Sequence, residues 1–355
     1  MIVLGIETSC DETSAAVVKL NSINRCEILS NVVHSQISEH TDYGGVVPEI
    51  AARSHIQYID EVILRAMNEA DCDFNNLDSI AVTAGPGLKG GLLVGVTIAK
   101  AISSVTKKPL LGINHLEGHA LTIRMVQKIE FPYLLLLVTG GHTQILIVRN
   151  VGEYTRLGTT IDDALGEAYD KVAKSLNLGY PGGPIVESMA NNKTDYNFTF
   201  PRPLINSQEL NFSFSGLKTA VRREIEKSIP ISKETACNIC AEFQDSIIDV
   251  LKDKLERAIC CFRDEFKNVD LNVVIAGGVA ANKKIFSSIK ELSDEKEFNV
   301  FVAPKELCSD NAAMIAWAGI ERSNAGVLET NDVSVRTRWP LDVEGQKVRG
   351  AGVKA

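Results

Sequence analysis

Two histidines, His115 and His119, stand four residues apart directly after an apolar run, Pro109 to Ile113, that is typical of a buried strand. Asn114 is a favourable helix N-cap, and apolar residues then recur at helical spacing. Because positions i and i+4 share one helix face, both imidazoles are predicted to point the same way, which suits a metal ion. The spacing alone is equally compatible with two histidines at a loop-to-helix corner, and a metal needs a third ligand from elsewhere.

Two carboxylates, Glu117 and Asp310, are candidates to act together with this histidine pair. Glu117 does not reproduce the zinc-protease motif, in which the glutamate directly follows the first histidine, because it stands two positions further on. Asp310 opens a predicted helix of small residues, where its simplest role is an N-cap that stabilises the helix by about 1 kcal/mol. As a carboxylate at the mouth of a central helix, it is also the best third metal ligand.

The first forty residues predict a hairpin. Strands over Ile2 to Ile6 and Ser14 to Leu20 flank a polar turn, Glu7 to Thr13. Such a turn can hold a phosphate through backbone amides or a cation through Asp11, although an ordinary solvated hairpin has the same composition.

The same design occurs a second time. Tyr133 to Val138 and Gln144 to Arg149 are strands around the turn Thr139-Gly140-Gly141-His142-Thr143. A strand leading into a glycine turn and a helix also occurs twice, at Gly85 and at Gly277-Gly278. This internal duplication predicts two α/β lobes with a cleft between them, and glycine turns facing a cleft suit a nucleotide.

Three further segments are informative. Asp162 to Leu176 is predicted to be a helix containing Asp170, whose simplest partner is Lys174 at i+4. Gly179 to Pro184 is a rigid turn feeding a helix whose N-terminus could face an anion. Ser215 is predicted to cap a basic helix.

Glycines at four-residue intervals, Gly87, Gly91 and Gly95, predict a helix that packs closely on its neighbour. The loop before them is not a Walker A motif, because Gly90 is followed by Gly91-Leu92 instead of Lys and Ser or Thr.

The composition is that of an ordinary globular protein of 355 residues, with 45% hydrophobic and 23% charged residues. The net charge of −8 argues mildly against a bare polyanion-binding surface, yet basic residues dominate the C-terminal end, Arg336 to Lys354. The eight cysteines are scattered, and the lone C-x-x-C at Cys237 and Cys240 has no second pair to complete a zinc site. We expect reduced thiols, a cytoplasmic location and no membrane span.

Eight blocks in the same order make the chain resemble the bacterial tRNA threonylcarbamoyltransferase family TsaD, once labelled glycoproteases. They cover nearly the whole chain to about Ile320: Gly5-Ile6-Glu7-Thr8-Ser9-Cys10-Asp11-Glu12-Thr13, Gly85-Pro86-Gly87-Leu88, Asn114-His115-Leu116-Glu117-Gly118-His119, Gly140-Gly141-His142-Thr143, Tyr180-Pro181-Gly182-Gly183-Pro184, Phe212-Ser213-Phe214-Ser215-Gly216-Leu217-Lys218-Thr219-Ala220, Ala276-Gly277-Gly278-Val279-Ala280-Ala281-Asn282 and Ser309-Asp310-Asn311.

The resemblance implies a duplicated fold of the actin-like ATPase, sugar-kinase and Hsp70 type, with ribonuclease H-like lobes around a central cleft. Its first lobe would cover 1–130 with a closing helix over 310–325, and its second 131–308. A C-terminal tail, 326–355, follows, and its composition predicts that the last twenty or so residues are loosely held. It implies that His115, His119 and Asp310 bind one divalent metal ion per subunit, with Fe(II) favoured and Zn(II) as the alternative. It further implies an adenylate site formed by Val138, Thr139, Gly140, Gly141, His142, Asp170, Gly183 and Asn282.

The implied reaction moves a threonylcarbamoyl group from threonylcarbamoyl-AMP to the exocyclic N6 amine of the adenosine next to the tRNA anticodon. Asp11 would act as an acid near the transferred group. The implied partners are tRNA, a shorter homologous TsaB-like subunit and a small TsaE-like P-loop ATPase. Three alternatives remain at this point: a sugar kinase-like phosphotransferase of the same fold, a metalloprotease, and a non-catalytic nucleotide-binding scaffold.

Overall fold

The structure is a computed structural model that describes residues 1–23, 25–194, 198–327 and 332–345. The strands are β1 (Ile2–Glu7), β2 (Glu12–Leu20), β3 (Cys26–Ser35), β4 (Ser79–Gly85), β5 (Leu110–Asn114), β6 (Tyr133–Val138), β7 (Thr143–Asn150), β8 (Glu153–Thr159), β9 (Asn272–Ala276) and β10 (Asn299–Val302). The α-helices are α1 (Ile37–His40), α2 (Pro48–Glu69), α3 (Lys89–Thr106), α4 (His115–Leu121), α5 (Ile123–Val126), α6 (Leu165–Ser175), α7 (Gly182–Ala190), α8 (Ser215–Lys227), α9 (Lys233–Glu265), α10 (Lys283–Lys296), α11 (Lys305–Cys308) and α12 (Ala312–Asn324). Short 3-10 turns occupy Thr41–Tyr43, Phe74–Asn76 and Gly278–Ala281.

The chain forms two compact units. The first contains Met1–Glu130, Arg149–Tyr154 and Ala303–Glu344, and the second is built mainly from Phe131–Val148 and Thr155–Val302. No helix among the described residues combines the length and apolarity needed to cross a membrane. All eight cysteines are free thiols, and Cys237 and Cys240 are buried as predicted.

The first unit has a five-stranded sheet in the order β3-β2-β1-β4-β5. β1 and β2 are antiparallel, which confirms the opening hairpin, while β1, β4 and β5 run parallel to one another. The carboxyl ends of these parallel strands therefore meet at one edge of the sheet. Glu7 ends β1 and Asn114 ends β5, so the polar turn and the first histidine both begin at this edge.

The second unit repeats this plan with the order β10-β9-β6-β7-β8. β6 and β7 are antiparallel, whereas β6, β9 and β10 are parallel. Each unit thus places an antiparallel hairpin beside a parallel crossover, and the predicted duplication is confirmed.

The glycines of α3 bring this helix onto the turn that follows β1. A Cβ atom at Gly91 would collide with the Thr8 carbonyl oxygen, and one at Gly95 with the Thr8 hydroxyl. The Thr8 hydroxyl donates a hydrogen bond to the Gly91 carbonyl oxygen at 2.8 Å. The packing role predicted for this glycine series is confirmed, and it braces the turn that leads to Asp11.

The expectation of a loosely held tail is wrong for residues 332–341. Val333 is buried in the core of the first unit, and the Arg336 amide donates to the Ala84 carbonyl oxygen at 2.7 Å. The Asn114 side-chain amide donates to the Trp339 carbonyl oxygen at 2.9 Å. Backbone bonds of this kind need no periodic sequence pattern, which is why composition alone suggested a loose end. Lys347, Arg349 and Lys354, the basic residues of the very end, lie outside the described residues.

Two helix starts in the second unit differ from prediction. Helix α6 begins at Leu165, three residues after Asp162, and Ser215 does not cap α8. The Asp162 carboxylate instead accepts hydrogen bonds from the backbone amides of Phe214 and Ser215 and from the Ser215 hydroxyl. Asp162 thus caps a helix that lies far from it in sequence, a contact that local helix signals do not contain.

Candidate metal centre

His115, His119 and Asp310 come together in the first unit as a possible metal site. Their ligand atoms all lie within 4.8 Å of one another, and both histidines are buried. The Asp310 Oδ1 atom is 3.0 Å from His119 Nε2 and 3.5 Å from His115 Nε2. At bond lengths of about 2.1 Å, two ligand atoms on one metal ion lie roughly 3.0 to 3.4 Å apart. The distances from Asp310 Oδ1 to the two Nε2 atoms are therefore close to those expected for ligands of a single ion.

Local sequence signals place the two histidines. The Asn114 side chain accepts a hydrogen bond from the Leu116 amide at 2.9 Å, so Asn114 is the N-cap of α4 as predicted. The His115 and His119 rings lie with their centroids 4.8 Å apart and nearly perpendicular. A Cβ atom at Gly118 would stand 2.9 Å from Ile315 Cδ1, so this glycine lets α4 approach α12. That approach brings His119 to Asp310.

Asp310 is not a helix cap. Its neighbour Asn311 caps α12 by accepting a hydrogen bond from the Met314 amide at 3.1 Å. The Asp310 carboxylate is therefore free of a capping role and faces the two histidines. Burial alone would raise the pKa of Asp310, but the nearby His115 and His119 hold it well below 3.8. An ionised carboxylate is the form that binds a metal.

Glu7 is a member of this centre that the sequence did not reveal. Its Oε2 atom lies 3.0 Å from His115 Nδ1, and both side chains are buried. The Ser9 amide donates to Glu7 Oε1 at 2.5 Å, and the Thr83 hydroxyl donates to Oε2. Burial would raise the pKa of Glu7, but His115 lowers it below 4.5. Glu7 directly follows the predicted buried strand, and this position could have revealed it, because a buried carboxylate needs a partner.

Asp11 and Glu12 are two further carboxyl groups beside the trio. Asp11 is 8% exposed at the end of the turn after β1. Burial first, and then the charges of Asp11 and Asp310, raise the pKa of Glu12 well above 4.5. Burial first, and then the same carboxylates, raise the pKa of the Cys10 thiol. Such a concentration of carboxylates favours a bound cation, which would relieve their mutual repulsion.

Glu117 points away from the trio into a separate network. Its Oε1 atom accepts from the Gly152 amide at 3.1 Å and from the Tyr154 hydroxyl at 2.9 Å. Its Oε2 atom pairs with Arg322 Nη1 at 2.9 Å, and Glu117 is only 1% exposed. A carboxylate whose two oxygens are engaged in this way is a structural anchor of α4, which argues against a protease.

The predicted substrate-binding residues lie in the second unit. Val138 is the buried last residue of β6, and Thr139 begins the turn that leads to β7. The Thr139 hydroxyl accepts from the backbone amides of Gly141 and His142 at 3.2 and 2.9 Å, so it shapes the turn. A Cβ atom at Gly140 or Gly141 would meet nothing within 4 Å, so open space adjoins both glycines.

Asp170 and Gly183 meet at the start of α7. The Gly182 amide donates to Asp170 Oδ1 at 2.7 Å, a partner outside its own helix that the sequence did not suggest. A Cβ atom at Gly183 would meet nothing within 4 Å. The first turn of α7 is therefore held by Asp170 and has open space beside Gly183.

Asn282 is the N-cap of α10. Its side-chain oxygen accepts from the Ile285 amide at 2.9 Å, and its side-chain nitrogen donates to Gln244 Oε1 at 2.9 Å. The next amide, Lys283, donates to Glu187 Oε1 at 2.7 Å and ties α10 to α7. This bond thus joins α7, which contains Gly183, to the start of α10, which Asn282 caps.

The two matching sheets and the histidine–carboxylate trio define a duplicated, actin-like α/β protein able to hold one metal ion. The family model described as TsaD, tRNA N6-adenosine threonylcarbamoyltransferase, matches residues 27–317. A relative from Rhizobium etli with the name tRNA N6-adenosine threonylcarbamoyltransferase is 53% identical over 355 residues, covering 99% of this chain and 97% of its own length. One from Brucella anthropi with the same name is 51% identical over 353 residues, covering 99% and 98%. The chain belongs to the TsaD family.

Solved structures bear on the fold alone. HypF from T. kodakarensis matches 94% of this chain and 49% of its own with a TM-score of 0.57 and 16% identity. A full-length HypF structure in a phosphate- and nucleotide-bound form matches 93% of this chain and 47% of its own, also with a TM-score of 0.57, at 12% identity. The predicted duplicated fold is confirmed, and so is the prediction of a threonylcarbamoyltransferase over the kinase and scaffold alternatives.

Proposed function

We propose that this chain transfers the threonylcarbamoyl group of threonylcarbamoyl-AMP to the N6 amine of the adenosine next to the anticodon, in tRNAs that read codons starting with A. The observation that carries this proposal is the His115, His119 and Asp310 trio within a TsaD-family chain. Because AMP is a good leaving group, the reaction needs no protein nucleophile. It needs orientation and stabilisation of charge on the carbamoyl oxygen and the phosphate.

The metal site is part of this proposal. His115, His119 and Asp310 would hold one divalent ion, with Fe(II) favoured and Zn(II) as the alternative, since imidazole and carboxylate suit both. A bound ion would supply Lewis acidity and a template for the threonylcarbamoyl carboxylate or phosphate. The spacing of the ligand atoms, the ionised Asp310 and the surrounding carboxylates support this assignment.

The adenylate would bind to the second unit. Val138 and the turn Thr139-Gly140-Gly141-His142 would approach the phosphate with backbone amides, a role that the open space at both glycines supports. Gly183 would offer the same access at the first turn of α7. Asp170 would accept hydrogen bonds from ribose hydroxyls, and Asn282 would approach the nucleoside end.

Asp11 would act as an acid near the transferred group. Its burial, and the charge interactions that Glu12 has with both Asp11 and Asp310, support a position close to the trio. The chain would work in the cytoplasm with tRNA, a shorter homologous TsaB-like subunit and a small TsaE-like P-loop ATPase.

The experiment that tests this function is mass spectrometry of tRNA nucleosides. Unmodified tRNA is incubated with this chain, its two protein partners, threonine, bicarbonate and ATP, with and without prior removal of metal by a chelator. We expect threonylcarbamoyladenosine next to the anticodon only with metal present. A complete mixture that leaves the adenosine unmodified, while phosphorylating a small alcohol, would refute the proposal.

A further inference from the structure

We propose that Glu7 is a positioning residue of the metal centre, which keeps the proton of the His115 ring on Nδ1 and thereby leaves Nε2 free to bind a metal ion. This inference rests on the proposed metal site. It concerns a residue outside the trio, and it assigns a separate task to a carboxylate that no substrate or metal contact requires.

The position of Glu7 supports this task. Glu7 Oε2 lies 3.0 Å from His115 Nδ1, whereas the opposite ring nitrogen, Nε2, lies 3.5 Å from Asp310 Oδ1. Glu7 is 0% exposed and His115 is 7% exposed, so water does not compete for this hydrogen bond. The two carboxylates thus face opposite edges of one imidazole ring.

The donors around Glu7 decide where the proton lies. The Ser9 backbone amide can only donate, and it does so to Oε1 at 2.5 Å. The Thr83 hydroxyl donates to Oε2. An ionised carboxylate only accepts hydrogen bonds, so the His115 nitrogen that faces it must carry the hydrogen. A neutral imidazole with its proton on Nδ1 has its lone pair on Nε2, on the side of Asp310 and His119.

The Ser9 hydroxyl is the competing partner. Its oxygen lies 3.2 Å from His115 Nδ1 and could donate to this atom, which would move the ring proton to Nε2 and block metal binding there. The Glu7 oxygen is nearer and carries a formal charge, so the His115 Nδ1–H group donates mainly to Glu7. The Ser9 hydroxyl oxygen then acts as a second, weaker acceptor of the same hydrogen.

His119 provides an internal contrast. Among the described residues, its Nδ1 atom has no hydrogen-bond partner, although the ring is buried. The proton position of His119 is therefore set only from its Nε2 side, by Asp310 and by a bound metal. Glu7 acts on only one of the two histidine ligands, so its contribution can be separated from that of the trio.

The test measures Zn(II) affinity by competition with a chelating dye, together with the ring-nitrogen NMR shifts of histidine in Zn(II)-loaded protein. In the wild-type protein we expect His115 with Nδ1 protonated and Nε2 bound to zinc. In Glu7→Gln, the new amide can donate to Nδ1, and we expect an affinity about 10- to 100-fold weaker. Glu7→Asp retains an acceptor-only group and should recover part of this loss.

Two control variants separate this role from general packing. Ser9→Ala should bind zinc as the wild type does, because Glu7 remains. Glu117→Gln alters another buried carboxylate, which contacts Tyr154 and Arg322 instead of a ring nitrogen, and it should also keep its zinc affinity. Circular dichroism checks that each variant is folded.

The outcomes are distinct. A wild-type protein that binds no zinc would overturn both the metal site and this inference. A wild-type protein that binds zinc through His115 Nδ1, or a folded Glu7→Gln variant with unchanged affinity, would overturn the role of Glu7 alone. The NMR measurement on the wild type decides the matter even if Glu7→Gln does not fold.

Discussion

Glu117 is predicted to stabilise the first unit without taking part in metal binding. In Glu117→Ala, Arg322 would lose its carboxylate partner while remaining only 11% exposed, and the Tyr154 hydroxyl and Gly152 amide would lose their acceptor. Breaking a buried ion pair by removing one partner costs about 3–5 kcal/mol, because the other charge stays buried and uncompensated. Glu117→Gln keeps an oxygen acceptor but not the charge, so it should cost about 1.5–3 kcal/mol.

Urea denaturation followed by circular dichroism measures these losses, and zinc titration of the folded variants measures the metal site. We expect a lower urea midpoint for both variants, in the order wild type, Glu117→Gln, Glu117→Ala, at constant zinc affinity. If either variant were as stable as the wild type yet had lost zinc binding or transfer activity, Glu117 would belong to the reaction, and the separation of the two networks would be wrong.

Four other substitutions have defined outcomes. Gly5→Ala places a Cβ against the Ala312 carbonyl oxygen at the start of α12. We expect the free energy of unfolding to fall by about 1–3 kcal/mol, and zinc to bind more weakly because Asp310 is displaced. Denaturation and zinc titration measure these two effects, and unchanged values would contradict this packing. Gly141→Ala should fold normally but bind the adenylate more weakly. In Gly166→Ala the new Cβ would lie 2.8 Å from Gly140 Cα, so this variant should lose stability. Equal stability and equal adenylate affinity of the two variants in calorimetry would contradict the open space assigned to Gly141. Burial would raise the pKa of Asp162, but hydrogen bonds led by Ser213 hold it below 3.8. The ionised carboxylate therefore stabilises the fold above pH 3.8, and this stabilisation is lost as pH falls through the lower pKa of the folded protein. Asp162→Asn should flatten the acid side of a curve of stability against pH, and an unchanged curve would contradict this role.

The sequence predicted those parts of the molecule that depend on neighbouring residues. The hairpins at β1–β2 and β6–β7 follow from alternating apolar residues around polar turns, and Asn114 caps α4 through an amide two residues away. His115 and His119 share a face because helical geometry alone requires it.

Contacts between distant segments were not visible in the same way. Asp162 caps α8 across more than fifty residues of chain, and local rules assigned this cap to Ser215. Asp310 had two possible roles from the sequence, and the hydrogen bond that the Met314 amide donates to Asn311 Oδ1 showed that the cap was already supplied. Glu7 reaches His115 only because β1 and the end of β5 meet at one edge of a parallel sheet. The Asp162 and Glu7 contacts depend on how distant segments are brought together, which periodicity does not encode.

The central claim is that transfer depends on an ion held by His115, His119 and Asp310. The most direct test measures bound metal and threonylcarbamoyladenosine formation in the same samples, for the wild type at graded metal occupancy and for His119→Ala. We predict product in proportion to bound metal in the wild type, and neither metal nor product in His119→Ala. A metal-free His119→Ala protein that modifies tRNA at the wild-type rate would contradict the claim.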